Sequence, residues 1–344
     1  MPEGDTIHKA AARLRPALEG ATLVRFEAPR LAGAMPRPGT TITAVEAQGK
    51  YLLVRFADGY LLQTHLKMTG RWDLYRSGER WRRPAHLARA IIEVDGWVAI
   101  CFSAPVVRVI RVKPDDRDAV DGADGHPAGL EDDAVADDES VDDKSVVEPG
   151  PAAEDRPAST WNWIDATATG PDAGDAPDRS RGDGLDGHRD QRFARLDHLG
   201  PDLCRADVDL DVAVARMATI AAPDDDIADV LLDQRVAAGI GNVYKSEVLW
   251  ANELHPLTPL ADVDLDLRRR LLETAATLLQ ANLTTQQRTT VAGPPGSLAV
   301  YGRTRRACRR CGSAIRERRT GRDRRMTYWC PTCQPAPTGD AHPR

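Results

Sequence analysis

Two groups of residues in this 344-residue chain have types and spacings that can do chemistry. The first is Met1-Pro2-Glu3. Once Met1 is removed, Pro2 presents a secondary amine, and a secondary amine that attacks an aldehyde gives an iminium, a permanent cation that draws electrons. An α-amine with a pKa near 8 is about one-tenth free base at pH 7, against about one part in a few thousand for an ordinary lysine. Glu3 stands next to that amine and can move protons for it. The same residues also read as a processed start followed by an acidic first helical turn. The second group is Cys308-x2-Cys311 and, after eighteen residues, Cys330-x2-Cys333. This is the paired spacing of a tetrahedral four-thiolate zinc site, and one structural Zn2+ per chain is expected there. Cys101 and Cys204 stand alone and are expected to be buried packing residues.

Charge is divided along the chain in a way the net −6 conceals. Residues 114–190 carry 23 Asp and Glu against 6 Lys and Arg, a net of −17 that leaves +11 for the remainder. Between Tyr301 and Trp329, eleven arginines stand against two acidic residues, Glu317 and Asp323, so the cysteine-bearing segment is a cationic surface suited to phosphates. The basic part has the make-up of a polyanion-binding protein. The acidic part is rich in Asp, Ala, Gly and Pro and has too few large apolar residues to offset chain entropy, so it is expected to be a disordered insert that folding does not need. Its one candidate docking element is Trp161-Asn162-Trp163-Ile164. No membrane span or signal peptide is visible, which points to the cytoplasm, where clustered cysteines argue for metal rather than disulfides.

Regular elements have to position these groups. Residues 6–18 predict an amphipathic helix with Ile7, Ala10, Ala11, Leu14 and Leu18 near one face and Asp5 or Thr6 as its cap. Six short runs at 23–26, 41–47, 51–56, 60–64, 88–94 and 97–102 predict strands of an antiparallel sandwich or barrel, with Ala57-Asp58-Gly59 as a hairpin turn. Lys50 follows Gly49 at a strand entry, either as a solvated turn residue or as a cation held on a rigid edge. Met68, in His65-Leu66-Lys67-Met68-Thr69-Gly70, is either a core filler or an exposed flexible apolar side chain. Helices are expected at 209–221, 226–236, 243–251 and 265–283. Between two of them the turn Ala237-Ala238-Gly239-Ile240-Gly241-Asn242 either makes a corner or offers outward N–H groups at Asn242 to a phosphate. Arg325 falls where a zinc-fixed hairpin could aim a guanidinium.

Together these residues resemble the Fpg/Nei family of DNA glycosylase/AP lyases, endonuclease VIII most of all. The resemblance covers about residues 1–112 and 192–334 and leaves the acidic insert unmatched. It rests on Pro2-Glu3-Gly4, on Gly49-Lys50-Tyr51-Leu52-Leu53, on Gly239-Ile240-Gly241-Asn242 and on the four cysteines, in that order. It implies an α+β multidomain fold: an N-terminal β-sandwich with an N-terminal helix (1–113), the acidic linker (114–190), a helix-two-turns-helix DNA-binding domain (191–298) and a zinc-finger β-hairpin with a tail (299–344).

The resemblance also implies roles. Pro2 becomes the Schiff-base nucleophile and Glu3 the acid/base. Lys50 and Asn242 hold the phosphates around the lesion, Arg325 grips the flipped nucleotide, and Met68 enters the duplex to fill the space left behind. Lys50 and Arg325 count with the catalytic group. The implied activity is base excision repair on damaged double-stranded DNA by a monomer associated with the nucleoid: removal of an oxidised base, then β,δ-elimination. Thr6 departs from the pattern, since many members carry a second glutamate there. The 65–70 loop looks like that of purine-specific relatives, acting on formamidopyrimidine or 8-oxoguanine. Phe102-Ser103-Ala104-Pro105 looks like that of pyrimidine-specific ones, which favours oxidised pyrimidines. Two competing functions are a non-catalytic zinc-finger DNA-binding protein and an RNA- or partner-binding zinc protein. The insert would shield the DNA groove as a mimic or recruit a basic partner.

Overall fold

The computed structural model describes residues 2–112 and 196–337. Met1, the acidic segment at 114–190 and the motif at 161–164 lie outside the described residues. Helix α1 (Gly4–Leu18) opens earlier than the apolar pattern predicts. Its N-cap is Glu3, not Asp5 or Thr6, because Glu3 has an extended backbone and its N–H donates to Thr6 Oγ1 (3.5 Å). Ile7, Leu14 and Leu18 point into a core shared with Leu52, Val54, Leu62, Trp72 and Ile92.

Eight strands form two antiparallel four-stranded sheets, ordered β1-β6-β7-β5 and β2-β3-β4-β8. Six of them match the expected runs: β1 (Leu23–Glu27), β2 (Ile42–Gln48), β3 (Tyr51–Phe56), β4 (Tyr60–His65), β6 (Ala88–Val94) and β7 (Trp97–Phe102). The sequence pattern misses β5 (Arg71–Arg76) and β8 (Val106–Arg111). In β5, Arg71, Asp73 and Arg76 break the apolar run, yet Trp72 and Tyr75 are buried and Trp72 Nε1 donates to Thr64 Oγ1 (3.1 Å) across the sandwich. The turn at 57–59 does join β3 to β4, with Gly59 at φ +86°.

Beyond residue 196 the chain is helical: α2 (Leu210–Ile220), α3 (Ile227–Leu232), α4 (Asn242–Ala251) and α5 (Leu265–Ala281). Helix α3 stops four residues short of the expected end at 236. There the Gln234 side chain organises a turn instead, its Nε2 donating to Leu232 O (2.7 Å) and Ile240 O (3.0 Å) and its Oε1 accepting from Gly239 N–H (3.1 Å). Helix α5 likewise ends at Ala281 rather than 283, capped at Asn282. The hairpin of β9 (Arg316–Thr320) and β10 (Arg325–Trp329) follows. Among the described residues no helix is long and apolar enough to cross a membrane.

Candidate active site

The glycine turn receives the start of the chain. Gly4 N–H donates to Gly239 O (2.9 Å), and a Cβ on Gly4 would stand 2.8 Å from Gly239 Cα. The Glu3 carboxylate, fully buried, accepts from the backbone N–H groups of Gly241 (3.1 Å), Val243 (2.8 Å) and Tyr244 (3.2 Å). The unpaired amides and positive dipole end of a helix favour an anion there. The amides on either side of Asn242 thus point inward to Glu3 rather than outward. The turn does hold an anion, and that anion is the protein's own Glu3 carboxylate. Pro2 lies half-buried beside it.

Lys50 is not a solvated turn residue. Gly49, at φ +55°, donates its N–H to Asp202 Oδ2 (2.8 Å), and a Cβ there would come within 2.9 Å of Ala238 Cβ. Asp202 also meets His8 Nε2 (2.9 Å) and Cys204 N–H (2.9 Å), so one carboxylate fastens α1, the β2–β3 turn and the helical region together. Lys50 is pushed down to about 8, by burial first and then by the positive charges of Arg325 and Lys67, against the pull of Glu3 and Asp323. The same field pushes His65 down to about 4, again mostly through burial, so its ring is neutral and its Nδ1 accepts from Lys67 N–H (3.1 Å). His8, Asp202 and Cys204 offer atoms close enough for a metal. Within this fold, however, Asp202 Oδ2 is already bonded to His8 Nε2 and to Gly49 N–H, and burial and two nearby carboxylates push the Cys204 thiol up. The cluster is a fastener.

Helix α4 carries the third part of the site. Asn242 Nδ2 donates to Met326 O (2.7 Å), and Lys245 Nζ donates to Asn242 Oδ1 (2.7 Å) and Thr327 Oγ1 (2.8 Å), so the hairpin is held by two side chains of one helical turn. Lys245 is buried, and burial pushes it down to about 8. Glu247, also buried, accepts from the N–H groups of Ala299 (2.6 Å), Val300 (2.9 Å) and Tyr301 (2.8 Å). Sequence reasoning missed Lys245 and Glu247. The available signal was a helix with apolar residues on every face, which leaves a charged residue no solvated side. Arg325 opens β10 and forks onto Asp323 (3.0 and 2.9 Å), while Arg322 N–H donates to Asp229 Oδ2 (3.0 Å), latching the hairpin tip to α3.

The four cysteine sulfurs lie within 4.8 Å of one another, with Cys308 and Cys333 3.9 Å apart and Cys311 and Cys330 3.4 Å apart. Thiolates at about 2.3 Å from a tetrahedral zinc would stand roughly 3.8 Å apart, so the set fits that ion. Trp250 Nε1 donates to Cys308 Sγ (3.4 Å) and Cys333 N–H to Cys330 Sγ (3.5 Å), the kind of support that orients metal ligands.

Met68 is 64% exposed, which excludes the core-filler reading. The two loops that gave opposite specificity signals form one surface: Thr69 Oγ1 donates to Ser103 O (2.9 Å), and a Cβ on Gly70 would stand 2.9 Å from Ala104 Cα. Cys101 and Cys204 are buried, as their isolation predicts.

The formamidopyrimidine-DNA glycosylase N-terminal domain matches residues 1–105, and the formamidopyrimidine-DNA glycosylase H2TH domain matches residues 199–292. The probable endonuclease 8 2 of Streptomyces coelicolor is 32% identical over 342 residues, covering 98% of this chain and 95% of that protein. The DNA-(apurinic or apyrimidinic site) lyase Nei2 of Mycolicibacterium smegmatis is 32% identical over 340 residues, covering 98% and 100%. Lactococcus lactis formamidopyrimidine-DNA glycosylase, solved non-covalently bound to DNA containing an AP site, shares the fold with a TM-score of 0.61 at 18% identity, over 97% of this chain and all of that one. With both domains matched and relatives similar from end to end, the chain belongs to the formamidopyrimidine-DNA glycosylase and endonuclease VIII family.

Proposed function

We propose that this protein is a bifunctional DNA glycosylase/AP lyase of base excision repair, acting as a monomer on damaged double-stranded DNA. The observation that carries this reading is the seating of Glu3 beside Pro2 in the glycine turn, within the electrostatic reach of Lys50, which in turn senses Arg325. The names of the relatives support the class of reaction.

In the proposed mechanism the Pro2 amine attacks C1′ of the damaged nucleotide. A C–N bond forms there, the glycosidic bond breaks and the base leaves with a proton, with Glu3 carrying protons to and from the sugar and the amine. The C1′–O4′ bond then breaks, the sugar oxygen taking a proton from Glu3, and the iminium so formed acidifies the C2′ proton. Its removal expels the 3′ phosphate, and a second elimination expels the 5′ phosphate. Lys50 and Arg325 hold the flanking phosphates. Asn242 has a second amide hydrogen for the same strand beyond the one given to Met326. The exposed Met68 fills the gap in the stack, which offsets the few kcal/mol of unstacking. Cys308, Cys311, Cys330 and Cys333 would hold a zinc ion, which would brace the finger and supply no step of the chemistry. Oxidised pyrimidines are the proposed lesions, and the acidic insert is proposed to shield the groove or to recruit a basic partner.

Borohydride trapping on abasic-site DNA tests the reading. A covalent adduct whose linked peptide begins at Pro2 is expected, together with about one zinc per chain. An unreactive protein would leave a non-catalytic DNA-binding role. Faster release of 8-oxoguanine than of an oxidised pyrimidine would reverse the lesion assignment alone.

A further inference from the structure

Arg288 lies in the segment between α5 and the finger, 285 positions from Glu3 in sequence, and no motif in the sequence singles it out. Its guanidinium forks onto Asp5, with Nε 3.1 Å from Oδ2 and Nη2 bonded to Oδ1. Nη2 also donates to Thr6 Oγ1 (3.2 Å), and Nη1 stands 3.9 Å from Glu3 Oε1. The guanidinium carbon sits 4.7 Å from the centre of the Tyr244 ring, a cation–π contact with the helix whose amides hold Glu3. Arg288 is 14% exposed, Asp5 1% and Glu3 not at all. Planar, always charged and held on three sides, this guanidinium cannot turn away from Glu3 without breaking the fork.

A simple clasp between the finger segment and α1 would need only Asp5. The approach of Nη1 to Glu3 adds a cation beside a carboxylate that already has three backbone donors. The other charged or titratable groups around Glu3 are Asp5 on its own helix, Lys50 from the β2–β3 turn, and Tyr244 and Lys245 from α4. Among the ion pairs of the described residues, Arg288 is the cation that reaches both Glu3 and Asp5.

We propose that Arg288 is a positioning residue of the glycosylase/lyase reaction, acting through Glu3 and Pro2. Clamped by Asp5 and Thr6, it holds the Glu3 carboxylate aligned, and it keeps the neighbouring amine unprotonated, before the sugar is attacked. This inference rests on the proposed lyase activity. Its chemistry is electrostatic: a fixed cation beside the site favours a neutral amine, so losing it moves the acid limb of the reaction upward in pH. Asp5 acts in the opposite sense, as a fixed anion.

The test is the pH dependence of single-turnover adduct formation on abasic-site DNA. Arg288→Gln is expected to shift the acid limb up by about one unit, with the rate at high pH recovering to within a few-fold of the parent. Arg288→Lys restores the limb with a lower plateau, because the charge remains and the fork is lost. Asp5→Asn shifts the limb down, and it supplies an independent reading if Arg288→Gln does not fold. Zinc content and binding to undamaged duplex report folding. Profiles parallel to the parent in the folded variants, or shifts in the reverse directions, overturn the role of Arg288. A parent protein that forms no adduct at all overturns the lyase activity instead, and that is seen before any variant is made.

Discussion

A Cβ atom added to Gly241 would stand 2.4 Å from Cδ of Glu3, closer than any two such atoms can approach. The glycine is there so that the helix amides can close on the carboxylate. Gly241→Ala is expected to displace Glu3 by about an ångström, a scale of misplacement that costs on the order of 10²-fold in rate. Base release and adduct formation would fall together, while affinity for undamaged duplex, proposed to rest on the finger, would change only a few-fold. Kinetics unchanged by the substitution would show that Glu3 need not sit in the turn.

Asp202 is the corresponding fastener for Lys50. Asp202→Ala leaves the buried N–H groups of Gly49 and Cys204 without their acceptor and removes the His8 pair. Orphaned buried groups of this kind cost about 2–4 kcal/mol in sum, to be read as a lower Tm and a weaker hold on the Lys50 turn. Burial opposes ionisation of Asp202, but His8 and the two amides more than offset it and hold the carboxyl below its usual range. Its contribution is thus present above about pH 4 and is lost as pH falls through the lower folded value, so the parent and Asp202→Ala should converge in stability in acid.

Much of this was legible because local chemistry and tertiary use coincide. The cysteine pairs, the amphipathic α1 and the alternating strands each carry their reason in a few adjacent residues. What could not be read depends on distant partners. The glycine turn at 239–241 announces an anion site, but only the fold shows that the anion comes from Glu3, more than two hundred positions away. Lys245, Glu247 and Arg288 are ordinary charged residues until the finger closes over them. Strand β5 hides behind Arg71 and Asp73, which pair with each other on its outer side. The opposed loop signals at 65–70 and 102–105 arise because both loops build one surface.

Lys50 makes the pH dependence of binding specific. Pushed down to about 8 chiefly by burial, its ammonium is charged below that pH and lost above it. Affinity for an abasic-site duplex should fall between about pH 7 and 9, and Lys50→Arg, which stays protonated, should flatten the curve. Stability runs the other way. The folded protein gives up this proton near pH 8, whereas the unfolded chain holds it to about 10.4, so the burial cost is fully present below pH 8 and is relieved as pH rises toward 10. An affinity that does not vary with pH in the parent would mean that Lys50 makes no phosphate contact.

Arg325 faces a competitor of its own. Its fork onto Asp323 occupies the guanidinium proposed to take a phosphate, and Asp323 also lies within the field that Lys50 senses. Both side chains are substantially exposed, at 40% and 55%, so the pair itself is worth less than about 1 kcal/mol and is easily exchanged. Removing the carboxylate charge with Asp323→Asn is therefore expected to raise duplex affinity by about two- to five-fold at low salt, consistent with a pair of that strength, with the gain fading as added salt screens the exposed charges. Arg325→Gln should lose affinity and flatten the salt dependence by about one phosphate contact. Binding isotherms at several salt concentrations distinguish the two effects. Weaker binding by Asp323→Asn would show that the carboxylate aims Arg325 at the strand rather than holding it back.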